Sequence, residues 1–345
     1  MKIDNEIKLD FNDVLIRPKR SELSSRNEVN MERDVKFKYS SYIWNGIPII
    51  CSNMDTIGTV EMYKSLYTNH IITCFHKRIN VDEIISNNCN PDYFMLSTGI
   101  TDNDYKNLYD NIKKLEKNNI QVKFICIDVA NGYMAKLINF CKRVRATFPN
   151  KIIIAGNVVT RELVEELIIN GQVDIVKVGI GSGAVCTTRL QTGVGMPQFS
   201  SVLECSDAAH GLGAHIISDG GICYPGDISK AFGAGSDFVM MGSMFSGHKE
   251  CRGDIVKENG KSYKVFYGMS SDTAMNIYNG GVAKYRSSEG KTVKVEYKGE
   301  VQDTVNNFLG GIRSTCTYVG AKRIKDLAKC CTFMRVNRQV NNFYK

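Results

Sequence analysis

Short apolar runs recur along the chain, and most of them are rich in isoleucine and valine. They lack the polar residue at every second position that marks a strand with one solvent-exposed face. Runs of this kind are typical of strands buried on both faces. The pattern predicts eight such strands, at residues 47–51, 71–75, 93–96, 122–127, 152–155, 174–178, 215–217 and 237–241.

Helix-like segments follow these runs along the chain. Thr160 and Ser200 precede two of them in positions suited to helix N-caps. The last helix is expected only after a long irregular stretch. The predicted helices cover residues 59–67, 81–86, 104–117, 133–148, 162–169, 201–210, 226–232 and 317–333.

Buried strands that alternate with helices indicate a parallel sheet covered by helices. Eight strand–helix units fit an α/β fold of the (β/α)8 TIM-barrel type. A doubly wound open sheet is the alternative, but residues 52–55 after the first strand read Ser-Asn-Met-Asp rather than a Gly-x-Gly-x-x-Gly fingerprint. We predict a single domain, residues 1–345, with an N-terminal extension (1–45), a long active-site loop between strands six and seven, and a flap insertion at about 244–304.

The segments that follow the predicted strands are polar and rich in glycine. In such barrels the ligand-binding residues lie at the C-terminal ends of the strands. Asp219-Gly220-Gly221 follows strand seven, and Gly242-Ser243 follows strand eight. Backbone amides without bulky side chains can close around an anion, so these two loops predict a phosphorylated ligand.

Cys186 is the candidate nucleophile among twelve cysteines, which include no Cys-x-x-Cys pair. It lies directly after strand six in a loop with three glycines, where a thiol can be exposed and deprotonated. Most cysteines in folded proteins are small buried hydrophobic residues, and Cys51 and Cys126 lie inside predicted strands. The irregular spacing favours reduced thiols in the cytoplasm over a disulfide framework.

Composition narrows the class of protein further. With 43% hydrophobic and 23% charged residues, the chain has the composition of a folded globular protein. No apolar run approaches the roughly 18 residues that suggest a membrane span, and the first residues lack the apolar stretch of a signal peptide. We therefore expect a cytoplasmic protein without a membrane anchor.

The net charge of +8 is concentrated near the C-terminus. Residues 313–345 contain eight basic residues and one acidic residue, which gives +7 for this segment alone. A small polyanion, a nucleic acid or a solvated helix face would each fit such a segment. No RNP motif, zinc finger or helix-turn-helix signature supports nucleic acid, so we do not expect it as a partner.

Four motifs together resemble one enzyme family. They are GIGSGAVCTTR at 179–189, DGG at 219–221, NDVL at 12–15 and GMSS at 268–271. The combination is similar to the IMP dehydrogenase and GMP reductase family over nearly the whole chain. Within that family, Asn53 in place of a proline, the segment 268–275 and the lack of an inserted regulatory domain pair resemble the reductase branch.

The resemblance implies a homotetrameric barrel that converts GMP to IMP and ammonia with NADPH. Cys186 would attack carbon 2 of guanine and form a covalent thioimidate. Thr188 and Glu289 would pass a proton to the leaving amine, and a partly buried carboxyl group suits that role because burial raises its pKa.

The resemblance also implies three sets of binding residues. Those for the substrate are Asp219, Gly220, Gly221, Gly242, Ser243, Gly268, Met269, Ser270, Arg286, Ser287, Ser288 and Gly290. Those for the cofactor are Ser25, Arg26, Lys77, Asp128, Val129, Ala130, Ile180, Gly181, Met269, Tyr285, Ser314, Thr315, Cys316 and Thr317, with Ser25 and Arg26 supplied by a neighbouring subunit. A potassium ion would be held by Gly181, Gly183, Cys186 and Arg189.

Two other functions fit the same residues. An IMP dehydrogenase without regulatory domains would use the same cysteine, with NAD and water as its partners. A barrel that binds nucleotides or RNA without catalysis would explain the basic C-terminus. The presence of Cys186, Thr188 and Glu289 together favours the reductase.

Overall fold

The computed structural model describes residues 3–281, 285 and 287–337. The strands are β1 Val14–Ile16, β2 Arg33–Lys36, β3 Ile43–Gly46, β4 Ile49–Cys51, β5 Ile72–Phe75, β6 Phe94–Thr98, β7 Phe124–Asp128, β8 Ile152–Val158, β9 Ile175–Val178, β10 His215–Asp219, β11 Phe238–Met241, β12 Val256–Glu258, β13 Lys261–Tyr267, β14 Thr292–Glu296 and β15 Phe333–Arg335. The helices are α1 Val60–Tyr67, α2 Val81–Ser86, α3 Asp102–Lys117, α4 Ala135–Thr147, α5 Arg161–Ile169, α6 Thr188–Thr192, α7 Gln198–Gly211, α8 Pro225–Gly233, α9 Asp272–Asn279, α10 Val301–Val319 and α11 Leu327–Cys330.

Strands β4 to β11 form a closed parallel barrel, in which β11 returns to pair with β4. Each of the eight overlaps one predicted strand, and the TIM-barrel prediction is confirmed. The strands read as continuous apolar runs because one face points into the barrel and the other packs under the surrounding helices.

The N-terminal extension closes the N-terminal end of the barrel. β2 and β3 form an antiparallel hairpin, and the fully buried Trp44 on β3 lies with its ring centroid 5.3 Å from that of Phe238 in the barrel interior. Phe37, just beyond β2, makes an edge contact with Phe124 at 6.1 Å. The opposite, C-terminal end of the barrel is left for the site.

The predicted flap insertion contains regular structure. β12, β13 and β14 form an antiparallel sheet, and α9 lies between β13 and β14 along the chain. Ser271 caps α9, because its side chain accepts a hydrogen bond from the Ala274 amide. The stretch expected to be irregular is therefore partly a sheet with a short helix.

The prediction of a last helix at 317–333 is wrong. Residues 317–319 are instead the end of α10, whose C-cap Gly320 is left-handed with φ of 75°, and residues 327–330 form the short α11. Gly310 and Gly311 weaken the helical pattern in the sequence, but a Cβ atom at Gly311 would lie 2.7 Å from the Cβ of Pro225. Gly311 thus allows α10 to pack closely on α8. In the part of the chain that the structure describes, no helix is both long and apolar enough to cross a bilayer.

Candidate active site

A cavity of about 450 Å³ opens at the C-terminal end of the barrel. Its walls come from the loops after the barrel strands and from the flap insertion. Fifteen of the residues predicted for the site lie in these walls: Lys77, Asp128, Val129, Ala130, Ile180, Gly181, Gly183, Cys186, Thr188, Asp219, Gly220, Gly268, Met269, Ser270 and Glu289. The barrel thus brings residues of both predicted ligand sites into one space.

Cys186 begins a short hydrogen-bonded chain of three side chains. Its thiol donates to the hydroxyl of Thr188 over 3.2 Å, and that hydroxyl donates to Oε2 of Glu289 over 2.8 Å. Thr188 opens α6, while Glu289 lies 101 residues further along the chain, in the flap. The arrangement connects a nucleophile to a carboxylate through one hydroxyl, which is a path along which a proton can move.

Backbone contacts hold the segments of this chain together. The Thr187 amide donates to the Glu289 carbonyl at 2.8 Å, and Gly290 makes bridges of the β type with both Cys186 and Ser271. A Cβ atom at Gly290 would lie 2.9 Å from the Ser271 amide nitrogen, so the close approach requires glycine. The flap carboxylate is therefore positioned against the cysteine loop by main-chain contacts.

A buried lysine lies between two acidic residues at the cavity floor. The Nζ of Lys177 is 2.9 Å from Oδ1 of Asp128 and 2.6 Å from Oδ2 of Asp219. Asn53 donates to Asp128, and Asn157 donates to Asp219. Burial alone would lower the pKa of Lys177, but the two carboxylates raise it well above its usual range, so the side chain stays charged.

The same network sets the state of Asp128. Burial alone would raise the pKa of this carboxyl, but the charge of Lys177 and the hydrogen bond from Asn53 hold the pKa below its usual range. Asp128 is therefore an acceptor for ligand hydroxyls or amides at neutral pH. Oδ1 of Asp219 receives no hydrogen bond from any described residue, and that carboxylate also lines the cavity.

Only one of the predicted phosphate-binding residues is found in the cavity walls that the structure describes. Gly220 lines it, with φ of 97°, and a Cβ atom there would overlap Oγ of Ser182. The Gly221 amide donates to the Ser182 carbonyl at 2.9 Å, and the Ser243 hydroxyl lies 3.4 Å from the Ile222 carbonyl. Gly221, Gly242 and Ser243 do not line the cavity among the described residues.

Other predicted residues lie outside the cavity walls. The side chain of Tyr285 is 89% exposed. The hydroxyl of Ser288 donates to backbone carbonyls of the flap, and Ser287 and Gly290 lie on the same flap segment. Arg286 lies outside the described residues. The residues predicted for the distal part of the cofactor lie on other elements: Ser25 and Arg26 in the exposed turn at Arg26–Glu28, and Ser314, Thr315, Cys316 and Thr317 on α10.

Cys316 is the buried member of the predicted set on α10. Its side chain is fully buried, and burial raises the pKa of the thiol to about 12. Any contact of this residue with a cofactor at the surface would therefore involve its backbone. The exposed turn and α10 do lie together, since Arg313 of α10 donates to the Val29 carbonyl at 2.7 Å.

The predicted potassium ligands lie on the cysteine loop. This loop is a tight turn in which the Cys186 amide donates to the Gly183 carbonyl at 3.0 Å. Backbone carbonyls of Gly181, Gly183 and Cys186 suit a hard monovalent cation, because such ions prefer oxygen ligands. The guanidinium of Arg189 is a cation that pairs with Asp10 at 2.9 Å, so Arg189 could contribute only its carbonyl.

Sequence reasoning missed several residues of the cavity. Lys177, Asn157 and Tyr278 line it, and none was predicted to do so. Lys177 lies inside β9, in a run recognised only as an apolar strand, whereas Asn157 follows the predicted strand at 152–155 and belongs to the longer β8. A charged residue within an otherwise apolar barrel strand was the signal that could have identified Lys177.

The chain also matches known proteins over almost its full length. A family model described as the IMP dehydrogenase / GMP reductase domain matches residues 8–341. The chain belongs to the IMP dehydrogenase / GMP reductase family. The resemblance inferred from the sequence and the prediction of an oxidoreductase are both confirmed.

Several relatives in this family share more than half of their residues with the chain. A GMP reductase of Caenorhabditis elegans is 54% identical over 99% of this chain and 96% of its own length. A GMP reductase of Buchnera aphidicola is 56% identical over 99% of this chain and 98% of its own length. Human GMP reductase 1 is 54% identical over 99% of both chains.

Proposed function

We propose that the chain catalyses the NADPH-dependent reductive deamination of GMP to IMP and ammonia through a covalent thioimidate on Cys186. The observation that carries this proposal is the path from Sγ of Cys186 through Thr188 to the carboxylate of Glu289. The relatives called GMP reductase support the choice of substrate. The overall reaction consumes GMP, NADPH and one proton, and yields IMP, ammonia and NADP⁺.

The first step uses the full length of that path. The thiol proton moves to the Thr188 hydroxyl as the hydroxyl proton moves to Glu289, which leaves a thiolate. Sγ then forms a bond to carbon 2 of guanine, and the electron pair of the C2–N3 double bond moves to N3. A soft sulfur nucleophile suits an electron-poor ring carbon.

The second step reverses the proton path. The proton stored on Glu289 returns through Thr188 to the amino group on carbon 2. The C–N bond breaks, ammonia leaves, and the electron pair on N3 restores the double bond, which gives the thioimidate. NADPH supplies the hydride that carbon 2 then accepts. The C–S bond breaks last, so that IMP and the Cys186 thiolate separate, and the thiolate takes up one proton to restore the thiol.

The cavity residues suggest how the ligands are oriented. We assign Asp219, whose Oδ1 accepts no hydrogen bond from a described residue, to the ribose hydroxyls, and the neighbouring glycine-rich loops to the phosphate. Lys77, Asp128, Val129 and Ala130, which also line the cavity, would hold the nicotinamide half of NADPH, and the carbonyls of the cysteine loop would hold potassium.

We further propose a homotetramer of single-domain chains in the cytoplasm. Ser25 and Arg26 do not line the cavity, so their predicted role requires another subunit. β1 in the N-terminal extension pairs with β15 near the C-terminus, which supports one domain. All twelve cysteines lie among the described residues and none forms a disulfide, as expected in a reducing compartment.

The test compares two reactions by nicotinamide absorbance. The protein is mixed with GMP and NADPH in one cuvette and with IMP and NAD in the other. Oxidation of NADPH that requires GMP supports the proposal. Formation of NADH from IMP would show a dehydrogenase instead, and no change in either cuvette would favour a binding protein. Light scattering of the same sample measures the number of subunits.

A further inference from the structure

Beside the cavity, two tyrosines share one carboxylate oxygen. The hydroxyls of Tyr267 and Tyr278 each donate to Oδ2 of Asp55 over 2.6 Å. Asp55 is only 3% exposed, and its other oxygen is buried without a hydrogen-bond partner in the described part of the chain. Both bonds are short and have a carboxylate acceptor, which makes them strong, and the one from Tyr267 is buried.

The two tyrosines flank a segment that forms part of the cavity. Tyr267 ends β13, Tyr278 lies on α9, and Gly268, Met269 and Ser270 lie between these elements and line the cavity. Asp55 belongs to the loop after β4, on the barrel itself. A single carboxylate thus connects both ends of the flap segment to the barrel. Neither Asp55 nor Tyr267 lines the cavity.

Further contacts hold the Tyr278 ring. The imidazole of His76 lies with its centroid 5.4 Å from that of the ring, and the guanidinium of Arg78 lies 4.7 Å from the ring centroid. Burial and the charge of Asp55 raise the pKa of both tyrosines, so their hydroxyls remain donors across the working pH range.

We propose that Asp55 is a positioning residue that acts through Tyr267 and Tyr278 to hold Gly268, Met269 and Ser270 in the shape that receives the ligands. This inference rests on the proposed function, because the family resemblance gives these three residues to the nucleotide substrate and Met269 also to the cofactor. Asp55 itself touches neither ligand. Its effect is to order the segment before binding, so that less ordering is left for the binding step.

Hydrogen exchange of the ligand-free protein tests the ordering directly. Tyr267→Phe and Asp55→Asn should each accelerate amide exchange at residues 268–271, while exchange in β7 stays as in the wild type. Tyr105→Phe is the matched control, because its hydroxyl lies 2.6 Å from Thr147 on the outer helices. Unchanged exchange at 268–271 in both variants would overturn the proposal.

Kinetics separates positioning from plain stabilisation. Loss of one such hydrogen bond should lower kcat/KM for GMP by about tenfold, mainly through a higher KM, because the segment must be ordered during binding. A residue important only for stability would lower the melting temperature and leave KM unchanged, and that result would contradict the proposal. Tyr267→Phe is the mildest variant and is expected to fold.

A double-mutant cycle tests whether Asp55 acts through the tyrosines. Asp55→Asn should lower kcat/KM in the wild type but have little effect when both tyrosines are phenylalanine. If Asp55→Asn lowered kcat/KM equally in the wild type and in the variant with both phenylalanines, Asp55 would not act through the tyrosines. If the wild type shows no GMP-dependent oxidation of NADPH, the proposed function fails, whereas hydrogen exchange still decides whether Asp55 holds the segment.

Discussion

At the N-terminal end of the barrel, the buried carboxylate of Asp174 has donors on both oxygens. Oδ1 accepts from the Tyr39 amide, and Oδ2 accepts from Arg145 and from the Ile153 amide. At the C-terminal end, the donors to Asp219 among the described residues, Lys177 and Asn157, both bind Oδ2. The first carboxylate can serve only the fold, whereas the second has an oxygen free for a ligand.

The two ends of the barrel also differ in whether they are filled or open. The N-terminal end is filled by the β2–β3 hairpin with Trp44, and the buried Asp237 there is surrounded by Arg33, His210 and His215. The C-terminal end keeps an open cavity. In barrels of this kind one end contributes stability and the other carries the site, so equivalent mutations at the two ends should have different consequences.

The largest effect is expected for Cys186→Ala. Because the thiol is the proposed nucleophile, turnover of GMP should fall by at least about 10³-fold, while GMP binding changes little. Absorbance at the nicotinamide band measures turnover, and calorimetry measures binding. Cys223→Ala, which removes an exposed thiol outside the cavity, is the control and should behave as the wild type. Turnover that survives in Cys186→Ala would exclude the covalent route.

A matched pair of mutations compares the two ends directly. Lys177→Met and Arg145→Met each remove the cation from a buried ion pair, so each should lower the free energy of unfolding by about 3–5 kcal/mol. Only Lys177→Met should also weaken binding of both GMP and NADPH, because it leaves Asp128 and Asp219 uncompensated at the cavity floor.

Urea unfolding measures the free energy of unfolding of each variant. Kinetics of the folded enzyme measures how strongly each variant binds GMP and NADPH. If Arg145→Met changed KM as strongly as Lys177→Met, the assignment of separate roles to the two ends would be wrong. A variant too unstable to purify can be replaced by Lys177→Arg, which retains the charge and should restore part of both properties.

Histidines at the two ends should respond oppositely to pH. Burial lowers the pKa of His76, at the cavity, from 6.5 to about 4. Its folded-state pKa is below the unfolded one, so its contribution to stability is complete above pH 6.5 and is lost as the pH falls towards 4. The free energy of unfolding should fall by about 3 kcal/mol over this pH range.

The contribution of His215 to stability changes with pH in the opposite direction. Burial alone would lower its pKa, but the hydrogen bond and charge of Asp237 raise it above 6.5. Its contribution is therefore complete below pH 6.5 and disappears as the pH rises through the folded-state pKa. Unfolding of His76→Gln and His215→Gln at several pH values measures both slopes, and equal slopes for the two variants would contradict the prediction.

The smallest effect is expected for Glu289→Gln. The amide can still accept the hydrogen bond from Thr188 but cannot store a proton, so kcat should fall by about 10²-fold with little change in KM. Glu296→Gln in the same flap insertion is the control, since its exposed carboxylate pairs only loosely with Lys261, at 3.7 Å. A kcat equal to that of the wild type would remove Glu289 from the proton path.

The barrel could be predicted from the sequence because its strands are buried on both faces. Such strands read as short apolar runs, and each of the eight was located to within a few residues. The loop with Cys186 and Thr188 is one continuous segment, so it was found from position alone. Glu289 comes from 101 residues away and was assigned only by resemblance.

Contacts between distant segments could not be predicted. Asp55 and Tyr267 are 212 residues apart, and no local pattern relates them. The start of α10 was missed because Gly310 and Gly311 resemble a break, although the second of them permits close helix packing. Lys177 was hidden within a strand because its partners lie on β7 and β10.

The backbone bridges of Gly290 affect how the chain tolerates insertions. Gly290 is fixed against Cys186 on one side and Ser271 on the other, so the position of Glu289 depends on these bridges rather than on the length of more distant parts of the flap. An extra residue next to Gly290 would instead displace Glu289 by roughly 3.4 Å, more than the whole hydrogen bond to Thr188. Loop-length libraries aimed at altered substrates should therefore vary the flap away from these bridges.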